Sequence, residues 1–117
     1  MKNEQIFMMV FRFTPDFETV PTEQEIAEMR EQWGAFIGNL AIQEKLVSTY
    51  QLGFDSQLIS ADGTVSGEIY YSDNRTISGK MIEKANAIDE ATEMAKASPI
   101  LKAGGTVEVR SIIPMDR

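Results

Sequence analysis

Three features predict an α+β fold: a first strand apolar on both faces, two helical segments each followed by a strand, and a hairpin signal between them. Read along the chain, the order is strand, helix, two or three strands, strand, helix, strand. That order describes a ferredoxin-like split βαβ sandwich, an antiparallel sheet with two helices on one face. At 117 residues the chain makes a single domain, residues 1–117, with no room for a second. Hydrophobic residues at 43% and charged residues at 25% are ordinary for a globular chain and argue against disorder.

Residues 6 to 13 are β-prone throughout. Phe7, Met9, Phe11 and Phe13 alternate with Ile6, Met8, Val10 and Arg12, so the strand is expected to be covered on both faces. A polar connection from Thr14 to Val20 ends at Pro21. Thr22 followed by Glu25 is a capping-box pattern that opens a helix. Ile26, Met29, Trp33, Phe36, Ile37 and Leu40 then follow helical spacing and form its apolar stripe. Gly34 and Gly38 weaken this helix, and close packing against the sheet is the expected reason for both.

A second strand is expected from Leu46 to Leu52. A hairpin follows over 56–66, with Asp62 and Gly63 at its turn, both favouring positive φ. Over Glu68 to Ser78, Ile69-Tyr70-Tyr71 could be strand, and Asp73-Asn74-Arg75 reads as a turn or exposed loop. Gly79 then precedes a strand over 80–85. Asn86 reads as the N-cap of a second helix whose inward residues are Ile88, Ala91, Met94 and Ala95, and Pro99 sets its end. The last strand is expected over 106–113, with Pro114 closing it. Two helices cover only one sheet face. The apolar first strand cannot leave the other in water, so a second copy is expected to cover it and the chain to act as a homodimer.

With no cysteine and no histidine, the chain cannot form disulfides, a Ser-His-Asp triad, thiol catalysis or the usual zinc ligand sets, and no cofactor is implied. A net charge of −7, from 18 acidic and 11 basic residues with no basic cluster, argues against nucleic acid as a partner. The longest strongly apolar run, Ile6 to Phe11, is far short of the roughly 20 residues of a membrane span, and no leader pattern follows Met1-Lys2-Asn3-Glu4. A cytoplasmic protein with no membrane partner is the expectation.

Several stretches, in order and at suitable spacing, resemble the YCII-related family, closest to the branch named for an Asp-Gly-Pro-Phe (DGPF) motif. They are the apolar first strand, Trp33-Gly34-Ala35-Phe36, Leu46-Val47, Asp62-Gly63, Ser78-Gly79-Lys80-Met81-Ile82, Asp89-Glu90-Ala91 with Pro99, and Val107-Glu108-Val109-Arg110. The resemblance runs over nearly the whole chain. It implies a dimeric α+β barrel with its site between sheet and helices or inside the barrel. Compact members carry a helix histidine paired with an aspartate, and Trp33 stands in the histidine's place. The Asp-Gly-Pro-Phe motif is replaced by Ile69-Tyr70-Tyr71-Ser72-Asp73-Asn74-Arg75. The family's suggested acid/base chemistry therefore does not carry over.

The candidate ligand-contacting residues are Arg12, Trp33, Tyr50, Glu83, Glu108 and Arg110. Arg12, Glu108 and Arg110 would meet on adjacent strands and could hold an anionic or polar small molecule. The competing reading is a structural ion pair of Arg12 or Arg110 with Glu108 or Glu83. Trp33 either lines a cleft or is core. Tyr50, Tyr70 and Tyr71 are available for proton transfer or for packing at a rim, and of the adjacent pair at most one can enter a pocket. Two functional classes follow: a small-molecule-binding protein, with lyase- or isomerase-like turnover as its catalytic form, and a non-catalytic dimerisation or regulatory module. A solvent-reachable polar cavity containing Arg12 or Arg110 favours the first; a filled apolar interior favours the second.

Overall fold

The computed structural model describes residues 4–115; Met1, Lys2 and Asn3 of the opening stretch lie outside them. The elements are β1 (Gln5–Phe13), α1 (Glu23–Ile42), β2 (Leu46–Gln51), β3 (Leu58–Ile59), β4 (Val65–Ser66), β5 (Thr76–Ala85), α2 (Ile88–Ala95) and β6 (Thr106–Ser111), with a 3₁₀ turn at Pro99–Leu101. The fold is α+β: β1, β2, β5 and β6 form one antiparallel sheet in the order β2-β5-β1-β6, and β3 pairs only with β4.

Register decides which side chains share a face. Phe7 lies opposite Glu83 and Ser111, Met9 opposite Met81 and Val109, and Phe11 opposite Gly79 and Val107. This is the face the helices cover, and the main core joins Met9, Phe11 and Met81 to Phe36 and Leu40 of α1, Ala95 of α2 and Ile100. A smaller cluster of Phe7, Ala85 and Ala91 continues it under α2. On the opposite face Val10 lies between Lys80 and Glu108, and Met8 between Ile82 and Arg110. Among the described residues no element packs there.

α1 starts as its sequence predicts. The Thr22 hydroxyl accepts from the Glu25 N–H at 3.1 Å, and the Glu25 carboxylate accepts from the Thr22 N–H at 3.0 Å. The bond from the Thr22 N–H, first among the causes, holds the Glu25 carboxyl below its usual range. The end is a Schellman turn: the Lys45 N–H donates to the Leu40 carbonyl at 2.9 Å and the Glu44 N–H to Ala41 at 3.0 Å. Glu44 takes φ 60° at the position usually held by glycine.

Only the C-terminal half of α1 lies over the sheet. Phe36 and Leu40 are buried, whereas Ile26 and Met29, expected on the core stripe, are exposed. Nothing comes within 4 Å of a Cβ built on Gly34 or Gly38, so close packing is not their explanation. The close approaches occur elsewhere. A Cβ on Gly79 would lie 2.6 Å from the Tyr50 carbonyl oxygen, and one on Gly105 would collide with the Arg12 carbonyl oxygen.

Further corrections concern element ends. β5 begins at Thr76, ahead of Gly79, because the strand passes the glycine where β2 approaches. α2 is capped by Ala87 without a side-chain bond; the expected cap, Asn86, donates instead to the Glu90 carboxylate from its backbone and its amide. Ile88, expected to face inward, is the first residue of that helix and is exposed. α2 ends at Ala95, and Pro99 opens the 3₁₀ turn. β2 stops at Gln51, and β6 stops at Ser111 ahead of Pro114.

Residues 52–75 leave the sheet and return to it. At the tip, Gly63 alone takes positive φ, at 90°, while the Asp62 carboxylate accepts from the backbone and hydroxyl of Thr64. β3 and β4 touch no other element. The projecting hairpin contributes to a flat outline of 48 × 46 × 20 Å and a radius of gyration of 16.1 Å, against about 13 Å for a compact chain of this length.

Candidate functional site

A cleft of about 750 Å³ opens where the hairpin arm leaves the sheet, within the size range of small-molecule sites. Its floor is the end of the sheet, supplied by Arg12 and Phe13 of β1, Thr76 to Ser78 of β5, and Thr106. Its walls are the two strands of chain that enter and leave the arm, including Phe54, Ile69 and Tyr70. An edge-to-face contact of Phe54 with Phe17, at 5.7 Å between ring centroids, ties the arm's base to the connection before α1.

A β-bulge shapes the floor. Phe11 pairs with Gly79 but Arg12 pairs with Ile77, leaving Ser78 as the extra residue, and its hydroxyl donates to the Phe11 carbonyl at 3.3 Å. Bulges of this kind re-aim the neighbouring side chains. The Arg12 guanidinium donates to the Glu108 carboxylate at 2.7 Å, and Arg110 donates to the other oxygen of the same carboxylate at 3.1 Å. The Arg12 bond first, and the Arg110 bond second, hold the Glu108 carboxyl below its usual range.

Just ahead of β5, a two-residue turn sets Arg75. Asp73 and Asn74 both take positive φ, 53° and 63°, as a type I′ hairpin turn requires. Ser72 and Arg75 exchange backbone hydrogen bonds at 2.8 and 3.0 Å, fixing where the Arg75 side chain starts. Arg75 lines the cleft, and its Nε is buried without an acceptor.

The structure thus brings together part of the sequence-derived set. Arg12, Glu108 and Arg110 do meet across β1 and β6. Tyr50 occupies the same open face in the row Tyr50, Lys80, Val10, Glu108, three strand spacings or about 14 Å from Glu108, and is exposed. Trp33 and Glu83 lie on the helix-covered side. Trp33 packs edge-on against Phe11 at 5.2 Å and Phe36 at 5.9 Å, beside the core. Glu83 cannot pair with Arg12 or Arg110 as the structural reading allowed, because β-strand alternation puts it on the opposite face.

Glu83 is the anomaly of the interior. Its side chain is fully buried, flanked across the sheet by Phe7 and Leu46, and neither carboxyl oxygen has a hydrogen-bond partner. Burial alone pushes its carboxyl up to about 8. The remaining interior between sheet and helices is filled by apolar side chains.

Arg75, Phe54 and Ile69 were not singled out from the sequence. The one available signal was the Asp73-Asn74 turn, which fixes Arg75 but not what it faces. Of the adjacent tyrosines, Tyr70 lines the cleft and Tyr71 does not.

Comparison with known proteins adds no assignment: no family model matches the chain, and no curated protein matches it. Among the described residues no helix is long and apolar enough to cross a membrane.

Proposed function

We propose that this chain is a cytoplasmic, YCII-related protein of the DGPF branch, with a ferredoxin-like fold, that binds a small polar or aromatic metabolite in the cleft between sheet and arm. The observation that carries this reading is the cleft itself, a solvent-reachable cavity with aromatic walls and two arginines, Arg12 and Arg75, in its lining. The sheet order β2-β5-β1-β6 is the order expected of a split βαβ sandwich, and it supports the kinship drawn from the sequence stretches. Binding is the function proposed, with lyase- or isomerase-like turnover of the bound metabolite as its catalytic form.

The same reading includes a homodimer formed through the open sheet face. Ile6 is exposed there, and Met8 and Ile82 are half-exposed beside each other in the middle of the sheet. Sedimentation at micromolar concentration is expected to give a dimer; a stable monomer would overturn that part. A thermal-shift screen against small acids, phenols and lactones, with Arg12→Ala alongside, tests the cleft. Ligands that raise the melting temperature of the wild type but not of the variant support it. A second reading, a pure interaction module, is favoured by the exposed apolar residues of the arm, Leu58, Ile59 and Val65. A blank screen together with a stable dimer would select it.

A further inference from the structure

We propose that the cleft recognises an aromatic carboxylate, with Arg75 as the group that binds its anion; this rests on the cleft-binding reading above. The two guanidiniums of the cleft are not equivalent. Arg12 already donates to Glu108, and Arg110, outside the cleft, shares that carboxylate. Arg75 has no carboxylate within ion-pair distance among the described residues, and its Nε has lost water without gaining an acceptor. A buried donor left in that state is costly to the fold. The terminal nitrogens of Arg75 are not buried in this way and make no hydrogen bond among the described residues, and a planar carboxylate matches that end of the guanidinium fork in two parallel hydrogen bonds.

Charge narrows the anion. Asp55 and Asp73 also line the cleft, so its formal charges are Arg12 and Arg75 against two carboxylates, and they cancel. In a chain of net charge −7 such a site accepts a single negative charge and disfavours a phosphate dianion. The apolar lining narrows the rest of the ligand. Phe13, Phe54 and Tyr70 supply aromatic surface beside the aliphatic side chains of Leu52, Ile69 and Ile77, which suits a ring attached to the carboxylate.

The test is an amide-detected NMR titration of the intact protein with benzoate, phenylacetate and 4-hydroxybenzoate, each set against its own primary amide, and with inorganic phosphate as a third arm. The acids are expected to shift signals from residues 52–56 and 69–78 and to bind at least tenfold tighter than their amides. Arg75→Gln should reduce the acids to the level of the amides, and Arg75→Lys should recover part of the difference. Acids and amides binding alike, or acid binding unchanged in Arg75→Gln, overturns the anion assignment and leaves the cleft reading intact. Phosphate binding tighter than every acid overturns the carboxylate. If no acid or amide shifts the cleft signals, both readings fall. Signals outside the cleft report whether the variants keep the fold, and the acid-against-amide contrast in wild type decides the matter if they do not.

Discussion

Glu83→Gln should convert a pH-sensitive protein into a much less sensitive one. In the unfolded chain the Glu83 carboxyl titrates near 4.5, while in the folded state burial among apolar side chains holds it up to about 8. Between those values the folded state keeps a proton that the unfolded state has lost, so stability falls as pH rises; below the lower value and above the upper one this contribution is flat. At about 1.4 kcal/mol per pH unit, the ionisable carboxyl costs about 3 kcal/mol by pH 7 and on the order of 3–5 kcal/mol by pH 8, relative to pH 4.5. Against a typical total of about 5–15 kcal/mol, that is a large fraction.

Glutamine keeps the shape and an unpaired polar group but cannot ionise, so it isolates the charge. The assay is urea denaturation at several pH values from 5 to 8, followed by the fluorescence of the single tryptophan, Trp33, which sits against Phe11 and Phe36. Wild type and Glu83→Gln should be close at pH 5 and diverge steadily, the variant ending more stable by a few kcal/mol at pH 8. The depressed carboxyls of Glu25 and Glu108 act at acid pH and with the opposite sign, so they leave this window clear. Stability curves that stay parallel from pH 5 to 8 would refute the argument.

The remaining predictions concern backbone and packing. Glu44→Gly should stabilise by about 0.5–1 kcal/mol in thermal or urea unfolding, because residue 44 is held at φ 60° where a side chain is strained. Gly34→Ala and Gly38→Ala should each add about 0.5–1 kcal/mol, since open space surrounds both positions on an established helix; a loss of stability would reveal a packing partner. Gly79→Ala should cost about 1–3 kcal/mol, as its methyl would press on the Tyr50 carbonyl oxygen and force β2 from β5. Thr22→Ala should cost about 1 kcal/mol by opening the capping box.

Local chemistry explains which parts of the fold were legible in the sequence. The capping box needs only residues three apart, and both of its bonds form. The alternation groups Phe7, Met9 and Phe11 on one face, as found, but with both faces of the strand apolar it does not tell which one the helices cover. Failures arise where a residue's role depends on a distant neighbour. Gly79 looked like a strand boundary, yet it lies inside β5 because β2 approaches its backbone. Ile26 and Met29 follow core periodicity, but periodicity does not report where the sheet beneath a helix stops. The cleft was the least legible feature, since Arg12, Phe54, Tyr70, Arg75 and Thr106 converge only through the pairing of β5 and β6 on either side of β1.

Among the described residues, the two side chains with buried polar atoms that lack a partner call for different remedies. Glu83 sits where nothing in the fold reaches it, and a carboxyl so placed can discard its charge by keeping a proton. Its burial is therefore tolerable at neutral pH and costly only as the proton leaves. A guanidinium has no such escape, because it holds its charge at any pH a protein meets. Its charge can be answered only by an anion, and the cleft that Arg75 lines leaves room for one to enter. Of the two, Glu83 should respond to pH, whereas Arg75 should respond to an anion in solution.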